Sequence, residues 1–391
     1  MDYRKKIIEN LQGQKKRSQI FYLRQSNADG CVRYRQDIPL KALSFNCDEF
    51  IIGIADKLST TNFFFGDLMH GLQIMKLMAG KFPLWDYAKT ANFKMSMDYN
   101  DDIFSIPASN PAQMPGEEMA GCHEMIAHSD ALSVTNEPMR QVILRDNANV
   151  AIIPNYFDMA TYINLFTTGE ESEKRWRDSG KKTTVGYVGS MNHTEDQDVF
   201  FAALGPIMRE RQDVDAVIMG FCSERFKNEF GARVRIVKFQ PLDDYFTSLY
   251  ETGIDILCVP VSNNGFNKCK SNIKWMEGTY ICGAAILSSP IPAFVDLGTD
   301  ICGIVNWDSD QEVEAHRWRE AIEHLIDNPT DRFEMIDKSQ RWMVDEWDIS
   351  AGWVNWREYF RRVLNGESVG SIDATPRKVL AQQETLVHGI L

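Results

Sequence analysis

At 391 residues, 44% hydrophobic and 25% charged, the chain is long enough for two domains with full cores, and its composition excludes a disordered or fibrous class. The net charge of −13 is unevenly spread: residues 1–41 hold ten Lys and Arg against four Asp and Glu, leaving −19 on the remainder, a pattern that fits contact with a polyanion or a solvated basic helix. The eight scattered cysteines lack CxxC or paired metal spacing, no apolar run follows Met1-Asp2-Tyr3-Arg4-Lys5-Lys6, and no stretch nears the roughly 20 apolar residues of a membrane span, so a cytoplasmic protein without a span is expected.

In chain order, β-branched and aromatic runs predict strands at 19–23, 49–54, 93–97, 131–135 and 150–153, with helical patterns at 67–78 and 117–128. Ile153-Pro154-Asn155 stops the last of these strands, because proline removes a donor and restricts the residue before it. The interdomain connection is expected within 155–182. From Thr183 strands at 183–189, 216–220, 234–237, 254–260, 284–289 and 303–305 alternate with helices, which implies a parallel sheet covered on both faces. Helices are predicted at 311–327, 329–346 and 349–364, with Trp342, Trp347, Trp353 and Trp356 as packing anchors. The tail from Asn365 reads as loosely ordered, with a small docking helix over 379–391.

In parallel sheets ligands bind at the carboxyl ends of strands. That rule places Gly189-Ser190-Met191-Asn192-His193 and the loop 262–270 together. Gly189 permits close approach of a ligand or simply makes a turn, and His193 either donates to a phosphate oxygen or is solvated. The stretch Phe266-Asn267-Lys268-Cys269-Lys270-Ser271-Asn272-Ile273-Lys274-Trp275-Met276-Glu277 predicts a helix running to about Cys282. Its start carries Lys268, Lys270 and Lys274, where the helix dipole already places about half a positive charge. An anion among them offsets that cost; the plainer reading is a solvated helix end with Lys274 and Glu277 as an exposed pair. Spacing i, i+4, i+7 puts Lys270, Lys274 and Glu277 on one helical face, two cations for a diphosphate and a carboxylate for ribose hydroxyls.

Asp98-Tyr99-Asn100-Asp101-Asp102 follows a predicted strand. Asp101 and Asp102 either orient an acceptor hydroxyl or bind a divalent metal, or else cap the next turn in water. His123 and Glu124 are weaker candidates, since a helical His-Glu pair is commonly surface.

Four stretches resemble the GT-B glycosyltransferases, and within them the retaining family-four (group 1) type of phage or bacterial enzymes. They are Tyr187-Val188-Gly189-Ser190, the Asn267–Glu277 segment with Gly283-Ala284-Ala285-Ile286, Asp130 to Thr135, and Ile153-Pro154-Asn155-Tyr156-Phe157-Asp158. The resemblance covers most of 90–360; before that it is loose, through Arg33-Tyr34-Arg35 and Pro39-Leu40. It implies an α/β fold of two Rossmann-like domains facing a central cleft: 1–160 for the acceptor, 161–345 for the nucleotide-sugar donor, a helix at 346–364 packing back on the first, and a tail at 365–391. It further implies transfer of a sugar from a nucleotide diphosphate sugar to an acceptor hydroxyl with retention, without a required cofactor or metal-binding motif. Lys270 and Lys274, with Asp101 and Asp102, are then the expected catalytic residues. Gly189, Ser190, His193, Asn267, Ser271, Asn272 and Glu277 are the expected donor-binding ones, Glu277 on the ribose. Two departures stand out. Cys269 occupies the position of the family's second acid, and the loop after the first donor-domain strand has Ser190, Asn192 and His193 in place of a diphosphate-binding Arg and Lys pair. The acceptor is expected to be a small molecule or glycan; a DNA acceptor, hydroxymethylated cytosine, fits the basic N-terminal segment, and a nucleotide-sugar binder or an epimerase remains a further reading.

Overall fold

The computed structural model describes residues 17–23, 30–55, 67–72, 88–89, 92–108, 110, 113–189, 194–238 and 240–376. Ser190, Asn192, His193, residues 1–16 of the basic segment and the expected helix at 379–391 lie outside them. The chain forms two compact units. The first includes the described residues up to Asn100, Met114–Tyr156 and Ile349–Ala374; the second includes Asp101–Gln113 and Phe157–Asp348. Residues 101–113, assigned by the sequence reading to the first domain, therefore pack with the second.

Six parallel strands make the sheet of the first unit: β1 (Ser18–Leu23), β2 (Phe50–Ala55), β3 (Leu68–Leu72), β4 (Lys94–Tyr99), β5 (Ala131–Val134) and β6 (Val150–Ile152), in the order β2-β1-β3-β4-β5-β6. Tyr22, Met97, Tyr99, Leu132 and Val134 are fully buried, as expected for strands covered on both faces. β3 corrects the expected helix at 67–78 over Leu68–Leu72, residues 73–78 lying outside the described ones. Its five residues are all buried, and a short apolar run has no period that separates a central strand from a core helix. The tail is also corrected: Ile152 exchanges backbone hydrogen bonds with Ile372 and Ala374, which ties it to β6 as far as Ala374.

One buried ion pair organises this unit. Arg35, in the π-helical turn Arg33–Asp37, donates to both carboxylate oxygens of Asp98 in β4 at 2.8 and 2.6 Å, and to Ile153 O at 2.6 Å. Ser133 in β5 donates to the same carboxylate. The guanidinium lies 4.9 Å from the Trp356 ring on the helix Ile349–Asn365, so that helix covers the pair. Beside it His70 is fully buried, hydrogen-bonded to Ser96 Oγ at 2.6 Å and surrounded edge-on by Tyr22, Trp356, Tyr359 and Phe360.

The second unit repeats the architecture with β7 (Thr183–Gly189), β8 (Val214–Gly220), β9 (Val234–Val237), β10 (Ile256–Val259), β11 (Ala285–Ser288) and β12 (Gly303–Ile304), ordered β12-β11-β10-β7-β8-β9. This is the doubly wound order 3-2-1-4-5-6, whose direction reverses between β7 and β10. Tyr187, Phe200, Leu204, Ile218, Trp318 and Ile322 belong to its core. Trp342 and Trp347 pack with Trp275 in a three-indole cluster, centroids 5.6–5.8 Å apart. The tryptophan stripe thus divides between two cores, Trp342 and Trp347 in the second unit and Trp356 in the first.

Removing one member of the Arg35–Asp98 pair leaves a buried charge alone, so Arg35→Ala should lower unfolding stability by about 3–5 kcal/mol in a denaturant titration. Burial lowers the His70 pKa to about 4, outweighing the opposing pull of Asp98. The unfolded chain therefore binds a proton that the folded one refuses between about pH 6.5 and 4. Stability should fall across that window as pH drops, by on the order of 3 kcal/mol, and His70→Phe should flatten that slope.

Candidate functional site

The reversal between β7 and β10 places the loops leaving those two strands side by side at the carboxyl edge of the second sheet. Backbone packing there is tight. Gly220 has φ +113°, and a Cβ on it would lie 2.0 Å from the carbonyl oxygen of Gly189, the last residue of β7. Asp196, buried at the start of the helix Thr194–Glu210 after β7, accepts from both the backbone N–H and the hydroxyl of Ser262 at 2.7 Å. It pins the loop after β10. Asn267, in turn, donates its side-chain N–H to Ser262 O at 2.9 Å, while its backbone N–H is capped by Asn264 at 2.8 Å.

The expected single helix is broken. A short helix, Gly265–Lys268, stops where Cys269 N turns back to Phe266 O, and a second, Ile273–Glu277, begins after Asn272 and continues as the π-helical stretch Gly278–Cys282. Asn264 caps the start of the first helix by accepting from the Asn267 N–H, and the chain turns at Cys269 before helix resumes. Lys270 therefore sits in the link, its N–H bonded to Asn267 O, and does not share a helical face with Lys274. Gly278 lets the second helix press on the sheet: a Cβ there would meet Leu257 at 2.6 Å and Ile286 at 2.7 Å.

Lys274 and Lys270 each have a carboxylate at hand. Lys274 Nζ donates to Glu277 Oε2 at 2.9 Å and to Tyr245 Oη at 2.8 Å; Tyr245 donates to the same Glu277 oxygen at 2.7 Å. Burial raises the Tyr245 pKa well above its ordinary value, with the Glu277 charge adding to it, so the phenol stays a donor. Glu277 is nearly buried, whereas Lys274 is a third exposed. Lys270 lies 3.8 Å from Asp101 and 4.2 Å above the Phe266 ring. For Lys270 and Lys274 the cost expected at a helix start is thus offset inside the protein. Asn272 differs: it is buried, and among the described residues its side-chain N–H has no acceptor. Such an orphan costs about 1–3 kcal/mol.

Asp102 is buried and accepts from Phe104 N at 3.1 Å, which makes it a turn cap, although not the hydrated one expected. Ser271 is half-buried in the link. His123 pairs with Asp146 at 2.6 Å and belongs to the first unit. Sequence reasoning missed Tyr245 and Asp196, which reach the site from other helices, 32 and 66 residues from their partners, with no motif around them. Among the described residues no group of three His, Cys, Asp or Glu is placed to hold a metal, and no helix is long and apolar enough to cross a membrane.

No family model matches the sequence, and no curated protein matches it. Solved structures do. The chain is similar to the sucrose-phosphate synthase of Thermosynechococcus elongatus, at 13% identity and TM-score 0.65 over 90% of this chain and 100% of that one. HepE of Anabaena, in complex with UDP-glucose, matches at 13% identity and TM-score 0.63 over 88% and 99%. A protein described as a UDP-N-acetylglucosamine 2-epimerase of Listeria monocytogenes matches at 9% identity and TM-score 0.52 over 92% and 100%. At such identities the likeness bears on architecture, and the fold is GT-B: two α/β units, each built on a six-stranded parallel sheet.

Proposed function

We propose that this chain is a glycosyltransferase, moving a sugar from a nucleotide diphosphate sugar to an acceptor hydroxyl with retention at the anomeric carbon. One observation carries the reading. Where the second sheet reverses direction, two lysines four residues apart flank the buried Asn272, whose side-chain N–H lacks an acceptor among the described residues, and Glu277, on the helix that follows, is held rigidly by Tyr245. Cations with an unsatisfied donor suit phosphate oxygens, and a fixed carboxylate suits ribose hydroxyls.

In this reading Lys274 and Lys270 stabilise the negative charge that grows on the diphosphate as the anomeric bond breaks. Lys274 is presented by the first turn of a helix anchored through Trp275 to Trp342 and Trp347, so little reorganisation accompanies the reaction. Tyr245 fixes the Glu277 carboxylate while staying neutral, which leaves the local charge balance to the lysine. The likeness to HepE, seen with UDP-glucose, makes a UDP-sugar the first donor to test.

The likeness to the Listeria protein supports a second reading, an epimerase. Product analysis separates the two. A transferase incubated with donor alone releases nucleoside diphosphate and free sugar slowly, whereas an epimerase returns an isomer of the nucleotide sugar.

UDP-glucose at a hundred times its dissociation constant should raise stability by about 2.7 kcal/mol in a thermal-shift assay; no shift across UDP-, ADP- and GDP-sugars refutes the donor site. Lys274→Ala should lower kcat about 100-fold, equivalent to about 3 kcal/mol of transition-state stabilisation, in a steady-state transfer assay. Tyr245→Phe should weaken UDP binding about tenfold by calorimetry, since one hydrogen bond to a charged carboxylate is lost.

A further inference from the structure

The segment Asp101–Gln113 follows β4 of the first unit yet packs as part of the second. Its contacts there are specific. Asp101 Oδ1 lies 3.8 Å from Lys270 Nζ, with the side chains 29% and 21% exposed. Ser105 sits against Gly265, where a Cβ would meet the serine Cβ at 3.2 Å. Asp102, capping its own turn through Phe104 N, holds the backbone next to Asp101. The neighbouring Cys269 thiol is pushed up to about 12 by burial, and then by the charges of Asp102 and Asp101. One carboxylate, that of Asp101, therefore arrives beside the lysine that the proposed reaction requires for an anion.

A separation of 3.8 Å exceeds hydrogen-bond reach, and partly exposed pairs of this kind are weak. A diphosphate brings more negative charge and more acceptor oxygens to Lys270 than one aspartate does. Like charges do not share one cation at no cost, so an arriving anion meets Asp101 as a rival.

We propose that Asp101 is a built-in competitor for the donor diphosphate: it neutralises Lys270 while the site is empty, and donor binding expels it, releasing the contact of its segment with the loop after β10. This rests on the donor-site reading above. It reassigns Asp101 from an acid acting on the acceptor to a displaceable counter-ion. It also predicts a direction opposite to that of an ordinary site mutation, because removing this carboxylate improves binding.

The test is calorimetry with UDP and with inorganic pyrophosphate, which lacks base and ribose. Asp101→Asn preserves shape and should tighten both dissociation constants about two- to fivefold. In a Lys270→Ala background the same change should have no effect, and in the parent it should shrink as salt rises. Hydrogen exchange of residues 101–108 in the unsubstituted protein should increase when UDP binds. Unchanged or weaker binding by Asp101→Asn overturns the competitor, as does protection of 101–108 by UDP. If neither the parent nor Asp101→Asn binds UDP or pyrophosphate, the donor site itself falls; binding with equal constants sinks only the competitor.

Discussion

The parallel pairing of β7 with β10, Val185 against Ile256 and Tyr187 against Cys258, is the constraint from which the candidate site follows. Strands joined this way run in one direction, so the chain leaves both at the same edge, and the reversal of strand order there leaves no helix to fill the gap. Asp196 and Ser262 exploit that adjacency by bonding one loop to the other. From Ser262 the hydrogen bonds of Asn267 carry the placement on to Lys270. Backbone topology, through three side chains, thus fixes a lysine whose own segment is only a short link.

The second half of the site is stiffened differently. Lys274 at a helix start opposes the macrodipole, which taken alone costs some tenths of a kcal/mol. Glu277, one turn on, and the phenol of Tyr245 convert that liability into a three-member hydrogen-bonded group beside a cluster of three indoles. Polar networks of this kind hold geometry when every member is satisfied. Asn272, without an acceptor for its side-chain N–H among the described residues, contrasts with that group.

Much of this architecture was readable from the residues. Strands such as Thr183–Gly189 and Val150–Ile152 announced themselves by β-branched runs closed by glycine or proline, and the three C-terminal helices by long amphipathic periods. β3 was misread because Leu68-Met69-His70-Gly71-Leu72 is apolar on both faces and too short to show a period. The break at Cys269–Lys270 was hidden for a related reason. Helical spacing links residues only while the helix lasts, and the turn at Cys269 that ends it is made of backbone hydrogen bonds to Phe266 and Asn267, not of a sequence pattern. Tyr245 and Asp196 were illegible because tertiary folding alone brings them to Glu277 and Ser262.

The helix Ile349–Asn365 supplies Trp356, Tyr359 and Phe360 to the aromatic surroundings of His70, and Trp356 to the face of Arg35. The core of the amino-terminal unit is therefore completed by a helix far along the chain. During synthesis on the ribosome that unit emerges first but must wait, its buried charge pair uncovered, until more than two hundred further residues have been made. The carboxyl-terminal unit needs no such late arrival for its own sheet, so the order of maturation runs opposite to the order of translation.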